Sequence, residues 1–125
     1  MAARVARLKR RSEFLWVAAA RRKWVTPGLV LQARPSDAAA PGDFRVGFTA
    51  SRRVGGAVRR NRARRRLRAV VARVMPARAR PGYDYVVIAR RETLTRPFAA
   101  LIEDLAEALD GVAKAERRSE EGRTS

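Results

Sequence analysis

The sequence predicts a single α+β domain, with elements in the order αββαβα and a sheet of three or four strands covered by helices. Two observations indicate the sheet. Residues 44–50 alternate between large apolar and polar or small side chains, as in a half-buried strand, and residues 84–89 (DYVVIA) form the nearly continuous apolar run of a central strand. A third observation indicates a helix, because four apolar residues recur at the spacing of one helical face: Leu67, Val70, Val71 and Val74.

Two elements precede the alternating strand. Ser12 can cap a first helix that runs to about Ala20. The turn signal at residues 26–28 (TPG) is followed by a strand from about Leu29 to Arg34, which ends at a proline.

The second helix is expected from about Ala57 to Met75. Gly55 and Gly56 before it are typical of a tight turn after a strand, and Pro76 after it should end the helix, because proline removes a backbone donor.

The last helix is predicted to begin at Thr95 or Arg96, with Pro97 in its first position and Gly111 as its C-terminal cap. Its core stripe is predicted to contain Phe98, Leu101, Ile102, Leu105 and Leu109.

The charge of the chain indicates a nucleic-acid partner. It has 29 basic and 12 acidic residues, for a formal net charge of +17. A membrane partner is disfavoured, because the sequence has no run of about 18 apolar residues, and a cytoplasmic location is expected. Three segments follow: a flexible basic arm at residues 1–11, an RNA-binding domain at 12–112 and a disordered tail at 113–125.

Side chains for catalysis are scarce. The chain has no histidine and no cysteine, which removes the commonest general base and metal ligand and any thiolate nucleophile. Glu103, Glu107 and Asp110 share a helical face and could hold a divalent metal together with Asp104, but a solvated face is the far commoner meaning of that pattern. No catalytic or metal-binding side chain is predicted.

The stretch Ser51–Arg68 (SRRVGGAVRRNRARRRLR) contains nine arginines, which we call the arginine array, and no acidic residue. A solvated helix face is the ordinary explanation of such a row. Here, however, arginines three and four positions apart repel one another, at a total cost on the order of 1–3 kcal/mol at low salt. Those in the first turns also oppose the helix dipole. The array therefore favours a polyanionic partner, whose phosphates the amides at the helix start could also bind.

Helical phase distinguishes some members of this run. At about 100° per residue, Arg60 projects close to the apolar stripe and should reach past the core edge or into a cleft. Asn61 either satisfies local backbone or contacts RNA, and the sequence favours neither.

Phe14 and Val17 on the first helix either pack in the core or line a groove in which bases stack.

The segment at residues 45–68, RVGFTASRRVGGAVRRNRARRRLR, resembles the signature of the bacterial ribonuclease P protein family. Weaker support comes from RLKRRSEFLWV at 7–17, LVLQARP at 29–35 and YDYVVIARRETL at 83–94. The resemblance implies a small subunit that joins a catalytic RNA, one protein per RNA, to remove the 5′ leader from precursor tRNA. It implies that hydrolysis is performed by the RNA with its Mg²⁺ ions, with no cofactor held by the protein, and that the βαβ crossover is left-handed.

Site residues are also implied by the resemblance. The single-stranded leader would lie in a cleft between the first helix and the sheet, bound by Phe14, Val17, Ala18, Arg22 and Arg90; Ala18 stands where the family usually has a second aromatic residue. The RNA subunit would be contacted by Arg52, Arg53, Arg59, Arg60, Asn61, Arg62, Arg64, Arg65 and Arg68.

Two other functions are compatible with the residues alone. A structural RNA-binding protein could use the same helix without a leader groove. A stand-alone nuclease would need the carboxylates at residues 103–110 to bind metal, and it is the least favoured of the three hypotheses.

Overall fold

The computed structural model describes residues 5–124, and the side chains of residues 5–118. Its strands are β1 (Val5–Arg7), β2 (Lys23–Val25), β3 (Leu29–Pro35), β4 (Phe44–Thr49) and β5 (Tyr83–Ala89). Its helices are α1 (Arg11–Ala19), α2 (Ala57–Arg78) and α3 (Phe98–Thr124), with a 3₁₀ turn at Arg91–Leu94. The predicted α+β class is confirmed.

The five strands form one mixed sheet in the order β1-β4-β5-β3-β2. The strands β1, β4 and β5 are parallel neighbours, whereas β3 runs antiparallel to β5 and β2 antiparallel to β3. The helix α2 joins the parallel strands β4 and β5, so it is the crossover for which the resemblance implies a left hand; that hand stays a prediction.

The helices cover the two faces of the sheet unequally. The main core lies between one face and the helices α2 and α3, and it includes all four residues of the predicted α2 stripe. On the opposite face α1 packs over a smaller cluster that contains Leu8, Val17 and Val86. We call this the α1 face.

Two strands were not predicted. The strand β1 lies within the predicted N-terminal arm and pairs with β4, and the next residue, Leu8, is buried. The strand β2 follows α1 and pairs with β3. Both have three residues and lie at the sheet edges, so neither is long enough to give an alternating pattern in the sequence.

Two predicted helix ends are wrong. The helix α2 continues past Pro76 to Arg78, with the proline in its last turn, where the one backbone hydrogen bond that proline cannot donate is lost close to the helix end. The helix α3 continues past Gly111, which is buried inside it. The Trp24 ring packs so closely against this position that a Cβ atom would lie 2.2 Å from the ring, which explains the glycine.

One predicted core residue is not in the core. Leu101, Leu105 and Leu109 are buried as expected, but Phe98 at the start of α3 is 36% exposed. The flexibility predicted for residues 1–11 and 113–125 stays a prediction, and residues 1–4 and 125 lie outside the described part of the chain.

Candidate nucleic-acid interface

The core stripe of α2 decides where the arginine array points. Ala63 and Leu67 are fully buried against the sheet, so the rest of the helix surface carries the seven helical arginines of the array. Five of the seven helical positions from 59 to 68 predicted to contact RNA are exposed, and two, Arg60 and Arg64, are half-buried. Arg60 has a buried Nε without a hydrogen-bond partner among the described residues, which agrees with its predicted position at the core edge.

Within residues 5–118, the array has no ion pair with a carboxylate of its own chain. The acidic side chains that form ion pairs are used on other arginines. These pairs are Glu13 and Asp84 with Arg45, Glu116 with Arg22 and Arg80, Glu92 with Arg90, and Asp104 with Arg96. The array is therefore an open cationic surface.

Two contacts hold parts of the array in place. The Arg64 guanidinium donates to Asn61 Oδ1 at 2.8 Å, so Asn61 orients a neighbouring cation. Arg66 donates to the carbonyl oxygens of Leu94 and Arg96, which ties α2 to the chain before α3. Arg66 is thus bound to another segment of the chain, whereas Arg64 is bound to a residue of its own helix.

A cleft of about 870 Å³ opens at the start of α2. It lies between the turn after β4 and the 3₁₀ turn, and its cationic lining residues are Arg52, Arg53, Arg59, Arg62 and Arg91. Arg91 was not among the predicted site residues. Its Nε donates to the Arg53 carbonyl at 3.0 Å, which joins the two walls of the cleft.

Charged side chains anchor α1 to the sheet through Glu13 in its first turn. Arg45 donates to both carboxylate oxygens of Asp84, at 2.7 and 2.6 Å, and to Glu13 Oε2 at 2.6 Å. The backbone N–H groups of Arg10 and Lys9 donate to Glu13 Oε1 and lower the pKa of Glu13, with a further contribution from Arg45. The bond to Asp84 in turn raises the pKa of Arg45.

Strand register shows which part of the α1 face the helix covers. Phe14 packs on Gly47, where a Cβ atom would lie 2.5 Å from the ring, so glycine permits this close approach. The next row of paired residues across the sheet is less covered. This row, which we call the open strip, consists of Val25, Val30, Ile88 and Thr49. Val25 is 54% exposed and the other three are half-buried.

Comparison with known proteins gives the family of this fold and charge pattern. The family model described as Ribonuclease P matches residues 2–113. The chain is 58% identical over 114 residues to the ribonuclease P protein component of Paramagnetospirillum magneticum, covering 90% of this chain and 86% of that protein. It is 50% identical to the component from Ruegeria pomeroyi, over 82% of each chain. The chain belongs to the ribonuclease P protein family.

Solved structures agree with this membership. The ribonuclease P protein of Thermotoga maritima superposes with a TM-score of 0.67 at 26% identity, covering 81% of this chain and 92% of that one. The protein of Staphylococcus aureus shares the fold, with a TM-score of 0.69 at 20% identity over 86% of this chain and 94% of that one. As a ribonuclease P protein, the chain is a subunit of a ribonucleoprotein endoribonuclease in tRNA 5′ processing.

Three of the five residues predicted to bind the leader, Phe14, Val17 and Ala18, lie on α1 of this ribonuclease P protein, whereas Arg22 and Arg90 make contacts elsewhere. The Val17 side chain is fully buried in the cluster between α1 and the sheet, so it has no accessible surface for a ligand. Arg22 pairs with Glu116 of α3 at 3.2 Å and so is engaged with the helix on the opposite face of the sheet. The other three are placed differently: Phe14 is half-buried on the α1 face, Ala18 is exposed, and Arg90 donates to the Thr26 carbonyl at 2.6 Å.

The carboxylates of α3 do not form a metal site in the described structure. Asp104 is buried and accepts two bonds from Arg96, at 2.6 and 3.0 Å, which raises the pKa of Arg96. No group of three potential metal ligands occurs in the part of the chain that the structure describes. None of the helices within residues 5–124 combines the length and apolar character that a bilayer crossing needs.

Proposed function

We propose that this ribonuclease P protein binds the catalytic RNA through the arginine array and holds the single-stranded leader of precursor tRNA along the open strip. The catalytic RNA supplies the hydrolysis with its Mg²⁺ ions, one protein serves one RNA, and the complex works in the cytoplasm. The observation that carries the first part is the absence of ion pairs to the array within residues 5–118.

The energetics of the array favour a large RNA over a small anion. The described acidic side chains that form ion pairs do so with other arginines, so no ion pair within residues 5–118 relieves the repulsion within α2. Each phosphate that the array neutralises releases counterions, and the gain grows with the number of contacts, at a salt slope of roughly 0.7–0.9 per phosphate. A folded RNA can offer many phosphates at once to a helix and its adjoining turn.

The open strip favours an unpaired strand. Three of its residues are apolar and the fourth is Thr49. The strip lies beside α1 and a cationic end of β5, where Arg90 and Arg91 line a second cleft of about 380 Å³. Bases of a single strand can lie on such a surface while basic side chains contact the backbone. A duplex hides the faces of its bases and would gain little from it. The leader is the single-stranded part of precursor tRNA.

The substitution Val25→Glu tests the leader site. Val25 is 54% exposed, so the change should leave the fold intact while placing a negative charge beside the anionic strand. With the reconstituted holoenzyme, the affinity for precursor tRNA should fall severalfold, and the affinity for mature tRNA should not change. Fluorescence titration of both tRNAs measures the ratio of the affinity for precursor tRNA to the affinity for mature tRNA.

The control is Ala115→Glu, which adds the same charge at an exposed position of α3, the helix that packs on the opposite sheet face. It should leave the ratio at the wild-type value. If the wild-type holoenzyme bound both tRNAs equally well, the protein would have no leader site. It would then be a structural RNA-binding subunit.

A further inference from the structure

A further groove runs between α2 and the start of α3, next to the cleft of about 870 Å³, with which it shares the lining residues Arg62 and Thr95. Its volume is about 640 Å³. One wall comes from α2 and the other from the segment that enters α3. The lining residues are Arg62, Arg65, Arg66 and Ala69 on the first wall and Thr95, Arg96, Pro97 and Phe98 on the second.

Phe98 is the aromatic residue of this groove, and its ring is accessible. It is 36% exposed, whereas the next residue of the α3 core stripe, Leu101, is fully buried. Exposed aromatic rings of this protein can be covered by cations, as when the Arg34 guanidinium lies 3.3 Å from the Trp16 ring centre. Among the described residues no arginine lies over Phe98. The ring can therefore accept another planar group.

The wall that carries Phe98 is held in place before any ligand binds. Arg66 donates to the carbonyl oxygens of Leu94 and Arg96. The Arg96 side chain is itself fixed by two bonds to Asp104. Pro97, directly before Phe98, has a restricted backbone angle. Because this wall is already ordered in the free protein, contacts made by Phe98 should contribute to affinity with little loss of conformational entropy.

The opposite wall supplies positive charge. Arg62 and Arg65 are exposed and have no ion pair within residues 5–118. An accessible aromatic ring beside free guanidinium groups is the arrangement that binds unpaired nucleotides, because the ring stacks on a base while the cations contact its phosphates. The same two arginines belong to the array, so the strand in this groove should be continuous with the RNA on α2.

We propose that this groove binds an unpaired nucleotide of the catalytic RNA, with its base stacked on Phe98 and its backbone phosphates against Arg62 and Arg65. The proposal rests on the function proposed above and adds a base contact to the phosphate contacts of the array. Stacking on Phe98 would contribute to the binding free energy in a way that salt does not screen.

The test measures the affinity of the protein for a bacterial ribonuclease P RNA without tRNA, as a function of salt. Phe98→Ala should weaken binding roughly 5- to 150-fold, the range found for one stacked base. The slope of log affinity against log salt should stay at the wild-type value, because no phosphate contact is lost. Phe98→Leu should behave like Phe98→Ala, and Phe98→Tyr should restore most of the affinity.

Two further variants separate the possible outcomes. Arg65→Ala should weaken binding and reduce the salt slope by about one. Leu15→Ala removes an apolar side chain of 55% exposure from α1, on the other face of the sheet, and should have no effect.

If Phe98→Ala bound like wild type while Arg65→Ala was impaired, the stacking site would be refuted and the function of the array would stand. If neither variant lost affinity, both proposals would fail. If Phe98→Ala affected only the binding of precursor tRNA to the holoenzyme, the groove would not take the catalytic RNA.

Discussion

Glu13 shows how one side chain can hold an element in place. It lies in the first turn of α1, where its carboxylate accepts the backbone N–H groups of the two residues before the helix, Lys9 and Arg10, and also contacts Arg45 on the sheet. It links the start of α1 to the α1 face. Loss of its charge should loosen the helix that borders the open strip.

We expect Glu13→Gln to lower the free energy of unfolding by about 1 kcal/mol at pH 7. The folded-state pKa of Glu13 lies below its ordinary value of 4.5. Its contribution is therefore complete above that pH and is lost as the pH falls through the folded-state pKa. Urea unfolding at pH 7 and at more acidic pH should show the two proteins converging in acid.

Asp37→Asn provides the control, because Asp37 is exposed and makes no ion pair among the described residues. Its effect should stay within about 0.5 kcal/mol at both pH values. A Glu13→Gln deficit of the same size at every pH would show that the carboxylate charge is not what stabilises α1.

Residue roles were predictable from the sequence where a local pattern determined them. The helical phase of α2 predicted that Arg60 lies at the edge of the core, as it does. The predicted apolar stripe that begins at Leu67 is likewise buried in the core. The ion pair of Arg22 could not be predicted, because its partner Glu116 is far away in the sequence and is brought near only by the packing of α3. The same holds for Arg91, whose partner is a backbone carbonyl of another turn.

Among the elements, α3 shows how tertiary contact overrides a local signal. A glycine near the end of an apolar stripe is typical of a helix end, yet the helix continues through Gly111 to Thr124. The reason is Trp24 of β2, a strand too short to be recognised in the sequence, whose ring occupies the space of a side chain at Gly111. The buried Glu116, one turn further, then pairs with Arg22 and Arg80 and holds the extension.

Gly111→Ala should destabilise the protein by roughly 1 kcal/mol, although alanine favours a helix by about that amount over glycine. The new methyl group would displace the Trp24 ring and expose apolar surface. In a Trp24→Ala background the same change should become stabilising. Thermal unfolding of the four proteins in this cycle measures the coupling. Additive effects would mean that Trp24 does not determine the need for glycine.

Across the whole molecule, charge is divided between two roles. The described acidic residues that form ion pairs contact arginines outside the array, several of which hold α1 and α3 in place, and the array is left for a partner. The fold class and the position of the array follow from sequence patterns, because both depend on residues close together in the chain. The open strip and the Phe98 groove could not be predicted, since each combines residues from separate elements.

Cleavage of precursor tRNA by the reconstituted complex tests the central claim most directly, because the claim is that the array docks a catalytic RNA that performs the chemistry. The purified protein, a bacterial ribonuclease P RNA, and the two together should be compared at low Mg²⁺ concentration. We predict no leader removal by the protein alone and efficient removal when both are present. Leader removal by the protein without RNA, or no gain when it is added to the RNA, would contradict the account.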